Sequence, residues 1–223
     1  MTRSTKRMIG WSIAILVVAI TAFSAAPEPQ REYASSGDGT SAHAVLSELP
    51  VKGRAPKTGY DRSQFGDGWG DLNGCDVRNV ILYRDLRETV LSEECIVVSG
   101  VLDDPYTGTT ISFSRSNPSA VQIDHVVALS DAWQKGAQQL SPESREQFAN
   151  DPLNLLAVDG PANQQKGDGD AATWLPSASS FRCSYVARQI AVKQKYELWV
   201  TAAEKTAMER VLDRCPLQTI PTP

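Results

Sequence analysis

The chain has 223 residues, 41% hydrophobic and 22% charged, which is enough for one compact domain and too apolar for a disordered chain. Its formal net charge is −4, and subtracting the three positive charges of Arg3, Lys6 and Arg7 leaves the remainder near −7. That balance argues against a protein that holds nucleic acid by broad phosphate neutralisation, and any such contact should be local, weak and salt-sensitive.

Arg3, Lys6 and Arg7 precede an apolar run from Ile9 to Phe23, closed by Ser24-Ala25-Ala26 and Pro27. A basic start, an apolar stretch and small residues read as an export signal over residues 1–26. The run is short for a spanning helix, which needs roughly 20 residues. An uncleaved N-terminal anchor is the alternative, and it would be the chain's only membrane contact. Either reading places the rest of the chain outside the cytoplasm, secreted or extracytoplasmic, and envelope-associated if the leader stays. Residues 27–47 are rich in Ser, Gly, Glu and Pro and read as a flexible linker, with order setting in around Ala44-Val45-Leu46. His43 sits at its edge, where a histidine is ordinarily solvated. The folded domain is expected over residues 48–216, with a disordered tail at 217–223.

Within the domain, Val77, Val80 and Ile81 fall at i, i+3, i+4, which predicts a helix over Asp76–Leu86. Cys95–Leu102 and Thr109–Phe113 are β-rich and flank the turn-dense Asp103-Asp104-Pro105-Tyr106-Thr107-Gly108, a hairpin with a longer loop. Val121–Val127 is a third β run. Ala132–Leu140 reads as a short helix. Ser141-Pro142 opens another through Phe148, which Asp151-Pro152 ends. Leu153–Val158 is a short apolar run, and Asp159-Gly160-Pro161 turns the chain. Tyr185–Trp199 predicts a long helix, and Thr201-Ala202-Ala203-Glu204 is a capping box starting a last one that ends near Asp213.

Cys75, Cys95, Cys183 and Cys215 lack the close pairing of a zinc ribbon or finger. In an exported chain two disulfides are the default, and four cysteines allow three arrangements. If the last two helices form an antiparallel hairpin, Cys183–Cys215 closes it and Cys75–Cys95 remains.

The chemistry-bearing residues begin with Ile123-Asp124-His125-Val126-Val127. Neighbours on a strand face opposite ways, so the pair can act together only if the strand ends there and turns. Asn154-Leu155-Leu156 follows, and nine positions after Asn154 comes Asn163 in Asn163-Gln164-Gln165-Lys166-Gly167-Asp168. An amide oxygen at Asn163 suits Mg²⁺, and Lys166 shares its helical face if a helix opens here. Trp133, Trp174 and Trp199 are candidates for stacking on bases, with packing as the plainer reading. Arg62, Arg78 and Arg84 are candidates for a substrate-binding phosphate groove, with ordinary surface salt bridges as the plainer reading. Asp168 and Asp170 either extend an acidic metal environment or belong to a solvated loop.

The pattern Asp-His-Val-Val, Asn-Leu-Leu, Asn-x-x-Lys-Gly resembles the HNH, or His-Me finger, endonucleases. More closely, the stretch from Tyr60 to Cys215 resembles exported HNH-family proteins of actinobacteria related to the C-terminal domain of GmrSD-type restriction enzymes. Supporting segments include Arg84-Asp85-Leu86, Leu102 to Gly108, Ala132-Trp133, Phe148 to Leu155 and Trp174-Leu175-Pro176. The resemblance implies an α+β fold: a ββα-metal core with added helices and a C-terminal helical hairpin, stapled by disulfides. It implies a metal-dependent endonuclease that hydrolyses DNA, with RNA left open, through one divalent cation. Mg²⁺ is first choice and Mn²⁺ second, and no small-molecule cofactor is needed. Carried over, His125 is the general base, Asp124 and Asn163 are the metal ligands, Asn154 orients the loop bearing the histidine, and Lys166 contacts phosphate. Ala128 stands where many members have Pro. Asn163 stands where many have His, which favours Mg²⁺ or Mn²⁺ over Zn²⁺. The alternative is a non-catalytic exported module of the same fold that binds envelope material. A serine hydrolase is disfavoured, since no Gly-x-Ser-x-Gly occurs.

Overall fold

The computed structural model describes residues 39–221. The expected leader, residues 27–38 of the expected linker and the last two residues lie outside them. Helix α1 (Ala42–Glu48) buries Ala42, Val45 and Leu46 in a cluster with Tyr185, Ile190, Met208 and Leu212. The flexible segment expected up to residue 47 therefore gives way to helix before its end. A seven-residue helix is not stable alone in water, so its packing makes it, and local polarity hid it. Within the expected tail, the described residues 217–221 pair with the start of the domain. The Ala42 N–H donates to the Gln218 carbonyl at 2.9 Å, and the Ile220 N–H to the Thr40 carbonyl at 3.1 Å.

A 3₁₀ turn at Arg62–Phe65, capped by the Asp61 carboxylate, leads to a small hairpin of β1 (Asp71–Leu72) and β2 (Cys75–Asp76). Asn73 and Gly74, at φ 57° and 85°, make its two-residue turn. Helix α2 (Val77–Asp85) starts where expected, with the Asp76 side chain accepting from the Asn79 N–H. Strands β3 (Arg87–Ser92), β4 (Ile96–Asp103) and β5 (Thr110–Ser114) form an antiparallel sheet in that order. β4, β5 and the loop between them match the expectation. β3 was not foreseen: most of its residues are exposed, and the β4 ladder rather than a hydrophobic pattern makes it a strand.

Strand β6 (Val121–His125) pairs antiparallel with β7 (Leu155–Asp159), Asp124 opposite Leu156 and His125 opposite Leu155. Between them lie α3 (Leu129–Trp133) and α4 (Pro142–Asn150), and α5 (Gly160–Lys166) follows β7 directly. The helix expected over Ala132–Leu140 starts earlier, at Leu129, and ends at Trp133; Gly136 (φ 126°), where a Cβ would stand 3.2–3.3 Å from Leu198 and Trp199, then opens a 3₁₀ turn. Asp159 caps α5 by accepting from the Ala162 N–H. Gly160 is required there, since a Cβ would lie 2.0 Å from the Ser119 carbonyl oxygen. Helices α6 (Arg182–Lys195) and α7 (Ala202–Leu212) close the chain, α7 on the expected capping box. α6 starts three residues before the expected Tyr185 and ends four before Trp199. There the Trp199 N–H turns away to the Lys135 carbonyl and the Val200 N–H to Pro50.

The fold is mixed α+β, and the cysteines pair as Cys75–Cys95 and Cys183–Cys215, with Cα separations of 5.6 and 6.4 Å. The β6–β7 pair divides the core by strand alternation. Val121, Ile123, Leu155 and Ala157 pack with α2, β4 and β5, whereas Leu156 and Val158 pack with α1, α6 and α7.

Candidate functional site

That alternation decides where Asp124 and His125 act. Gln122 and Asp124 share the face toward α5 and the β4–β5 loop, and His125 follows Val121 and Ile123 to the other. The Asp124 carboxylate is buried. Its Oδ1 accepts from the Lys166 ammonium at 2.9 Å, and its Oδ2 accepts from the Tyr106 hydroxyl. The same ammonium donates to the His125 carbonyl oxygen at 2.9 Å. Burial pushes the Asp124 carboxyl upward, opposed by Lys166 and Tyr106. Burial also drives the Tyr106 phenol far upward, keeping it a neutral donor. Tyr106 owes its position to Asp104, which accepts from the Thr107 N–H and hydroxyl and, through its other oxygen, from the Asp159 N–H.

On the opposite face, His125 Nε2 lies 2.9 Å from the Ala149 carbonyl oxygen. A carbonyl only accepts, so Nε2 carries the proton and Nδ1 keeps its lone pair. Burial, against the Ala149 bond and helped by Arg62 and Lys166, lowers the imidazole from its ordinary 6.5 to about 3. The ring stacks on Trp69, with centroids 5.9 Å apart and planes 9° apart. A cavity of about 230 Å³ beside it is lined by Arg62, Phe65, Gly66, Gly68, Trp69, His125, Leu129 and Ala149.

Asn154 is fully buried and clamps the loop after His125. Its Oδ1 accepts from the Val127 N–H at 2.9 Å, and its carbonyl accepts from the Val126 N–H at 2.8 Å. On α5, Asn163 sits one turn before Lys166, and its amide nitrogen donates to Gln122 Oε1 at 2.9 Å. Asn163 and Lys166 thus both reach the β6 face that carries Asp124.

The arginines do not gather. Arg62 is exposed at the His125 cavity. Arg78 is half-buried and reaches the Pro118 and Val121 carbonyls. Arg84 forks onto Asp85 and also donates to the Pro152 and Leu155 carbonyls, so it ties α2 to β7 rather than lining a groove. Trp133 and Trp199 are buried and donate to the Thr58 and Gly53 carbonyls, and Trp174 packs edge-on to Tyr106. Asp170 belongs to neither reading offered for it, because it is buried in an ion network; Asp168 pairs with exposed Lys57 at 3.0 Å. Sequence reading missed Trp69 and Tyr106. The aromatic in the Gly68-Trp69-Gly70 turn was a signal for the first. Nothing local marked the second, since its partner is 18 residues away.

Among the described residues, no three of His, Cys, Asp and Glu gather as a metal cluster. The donors around the Lys166 ammonium are nonetheless all oxygen, and a cation already sits among them. Asp124 Oδ1 and the His125 carbonyl oxygen are the ligand type of hard divalent ions such as Mg²⁺ rather than of zinc.

The chain belongs to the family of the C-terminal domain of GmrSD restriction endonucleases, which it matches over residues 76–211. It is also 37% identical to a protein of Arthroderma benhamiae described as an uncharacterized secreted protein, over 194 residues that cover 86% of this chain and 93% of that one. No solved structure matches it. Among the described residues, no helix is long and apolar enough to cross a membrane.

Proposed function

We propose that this chain is an exported phosphodiesterase that cleaves nucleic acid, DNA first, with His125 as general base. One observation carries the reading: Nε2 of His125 is committed to Ala149, which leaves a neutral Nδ1 as the ring's proton acceptor beside a cavity with a cation at its rim. A phosphodiester drawn in by Arg62 places negative charge near the ring and raises its basicity from the low value that burial sets. Trp69 offers a flat face to a base or sugar next to the cleaved bond. Asn154 holds the backbone after His125 and keeps the ring at its angle without touching substrate. Asp124 and Asn163 would hold Mg²⁺ or Mn²⁺, which when bound would supply positive charge for the phosphate and the departing oxygen; they lie on the β6 face opposite His125, so one phosphodiester meets both only by reaching round the His125 end of β6. Lys166, buried against Asp124, would become a second phosphate contact only once that pair opens.

Purified protein should degrade plasmid DNA with Mg²⁺ or Mn²⁺, and His125→Ala should abolish cleavage. Equal cleavage by both proteins would overturn the reading. Absence of cleavage with every divalent cation would instead favour a non-catalytic envelope-binding module, for which the acidic net charge speaks.

A further inference from the structure

Lys166 presents a conflict inside the proposed site. Its side chain is wholly buried, and its ammonium is spent on Asp124 Oδ1 and the His125 carbonyl oxygen, each at 2.9 Å. In that position it touches no phosphate, and it occupies the carboxylate oxygen a metal ion would need.

A buried carboxylate without a countercharge is costly, so some cation must stand beside Asp124. Tyr106 satisfies the other carboxylate oxygen but brings no charge. Lys166 is the last residue of α5 and is followed by Gly167 at φ 52°. Its ammonium rides on a four-carbon stem that can swing without moving the helix. Two cations cannot share one carboxylate oxygen at contact distance without strong repulsion. Asn163, one turn earlier, donates its amide nitrogen to Gln122 on the same face, and its amide oxygen is the atom that would serve a divalent ion.

We propose that Lys166 is an exchangeable internal cation: it neutralises Asp124 in the ion-free chain, competes with a divalent ion for the Asp124 and His125 oxygens, and is released toward the substrate phosphate when that ion binds. The competition stands on the geometry of Asp124 and Lys166. Only the destination of the released ammonium rests on the phosphodiesterase reading.

The test uses Mn²⁺ and the full chain. Mn²⁺ binding is measured by electron paramagnetic resonance for the wild type, Lys166→Met and the double variant Lys166→Met/Asp124→Asn. Removing the competitor should tighten binding on the order of tenfold or more, and the double variant should lose that gain. A second measurement needs no variant and covers the case that Lys166→Met does not fold. The wild type is acetylated with and without Mn²⁺, and the modified lysines are read by mass spectrometry. Lys166 should become several-fold more reactive with Mn²⁺, while buried Lys135, held by three carboxylates, stays protected. Unchanged Mn²⁺ affinity in a folded Lys166→Met, or unchanged Lys166 reactivity at saturating Mn²⁺, overturns the proposal. Absence of Mn²⁺ binding overturns it as well. His125-dependent cleavage alongside any of these failures leaves the phosphodiesterase reading standing, whereas competition without cleavage sinks that reading and leaves this one.

Discussion

Asn154 does its work through hydrogen bonds that only a buried amide can make. Its Oδ1 takes the Val127 N–H, and its Nδ2 lies 3.4 Å from the Val127 and Phe148 carbonyls. Asn154→Ala leaves that N–H buried and unpaired, which costs about 1–3 kcal/mol. We expect a lowered denaturation midpoint together with a fall in kcat, as the His125 loop loses its clamp; an unchanged kcat in folded variant would remove Asn154 from the site. His125 gives the protein a pH dependence of known sign. Its imidazole titrates near 6.5 when unfolded and near 3 when folded. Between those values the unfolded chain binds the extra proton, so stability falls as pH drops from about 6.5 toward 3 and is flat in this respect above 6.5. The slope from this residue is at most about 1.4 kcal/mol per pH unit. Urea midpoints of wild type and His125→Asn, compared at about pH 4.5 inside that window and at about pH 7 above it, should converge at the lower pH. Parallel behaviour would contradict the buried neutral ring.

At the scale of elements, the joints are made by charge as much as by apolar packing. Lys135 is fully buried and meets Asp131, Asp170 and Glu204 at 2.6–2.8 Å; Lys193 meets Glu204 at 2.9 Å; Arg54 reaches Asp131 and Asp170 at 2.9 and 2.7 Å. Three cations balance three carboxylates from α3, α7 and the loop after α5. Lys135→Met leaves those carboxylates short of a partner and should destabilise the protein by about 3–5 kcal/mol, read by chemical denaturation. A neutral result would mean that water or rearrangement replaces the lysine. Glu204 serves twice, as capping-box residue and as network anion. The capping role is legible from Thr201-Ala202-Ala203-Glu204, because it is local. The network is not, since Lys135 and Glu204 are 69 residues apart. The same division explains α1 and β3. The apolar stripe of the first and the ladder of the second need partners distant in the chain, and neither segment looks ordered alone.

For the whole molecule, the proposed activity requires a chain of net charge −4 to admit a polyanion. The proposed site offers two cationic contacts, Arg62 and, once released, Lys166. With two phosphate contacts, a fourfold rise in salt should weaken substrate binding roughly tenfold. KM for plasmid or oligonucleotide should rise accordingly with kcat little changed; a much steeper slope would point to a wider basic surface than these two residues make. The sequence by itself placed α2, β4, β5, β6 and the caps of α4 and α7, yielded the disulfide pairing as the outcome of a helical hairpin, and brought forward Asp124, His125, Asn154, Asn163 and Lys166 as candidates. Those features rest on periodicity, local hydrogen bonding and motif spacing, all of which are written within short stretches. Only the tertiary structure decided how that set divides. Strand alternation sends Asp124 to Lys166 and Tyr106 and sends His125 to Ala149 and Trp69. Of the three candidate arginines, it leaves Arg62 at the cavity and turns Arg84 into a tie between α2 and β7. The reason is physical: a side chain's role depends on which oxygen, proton or ring it meets across the core, and those partners are brought together by packing rather than by neighbourhood in the chain.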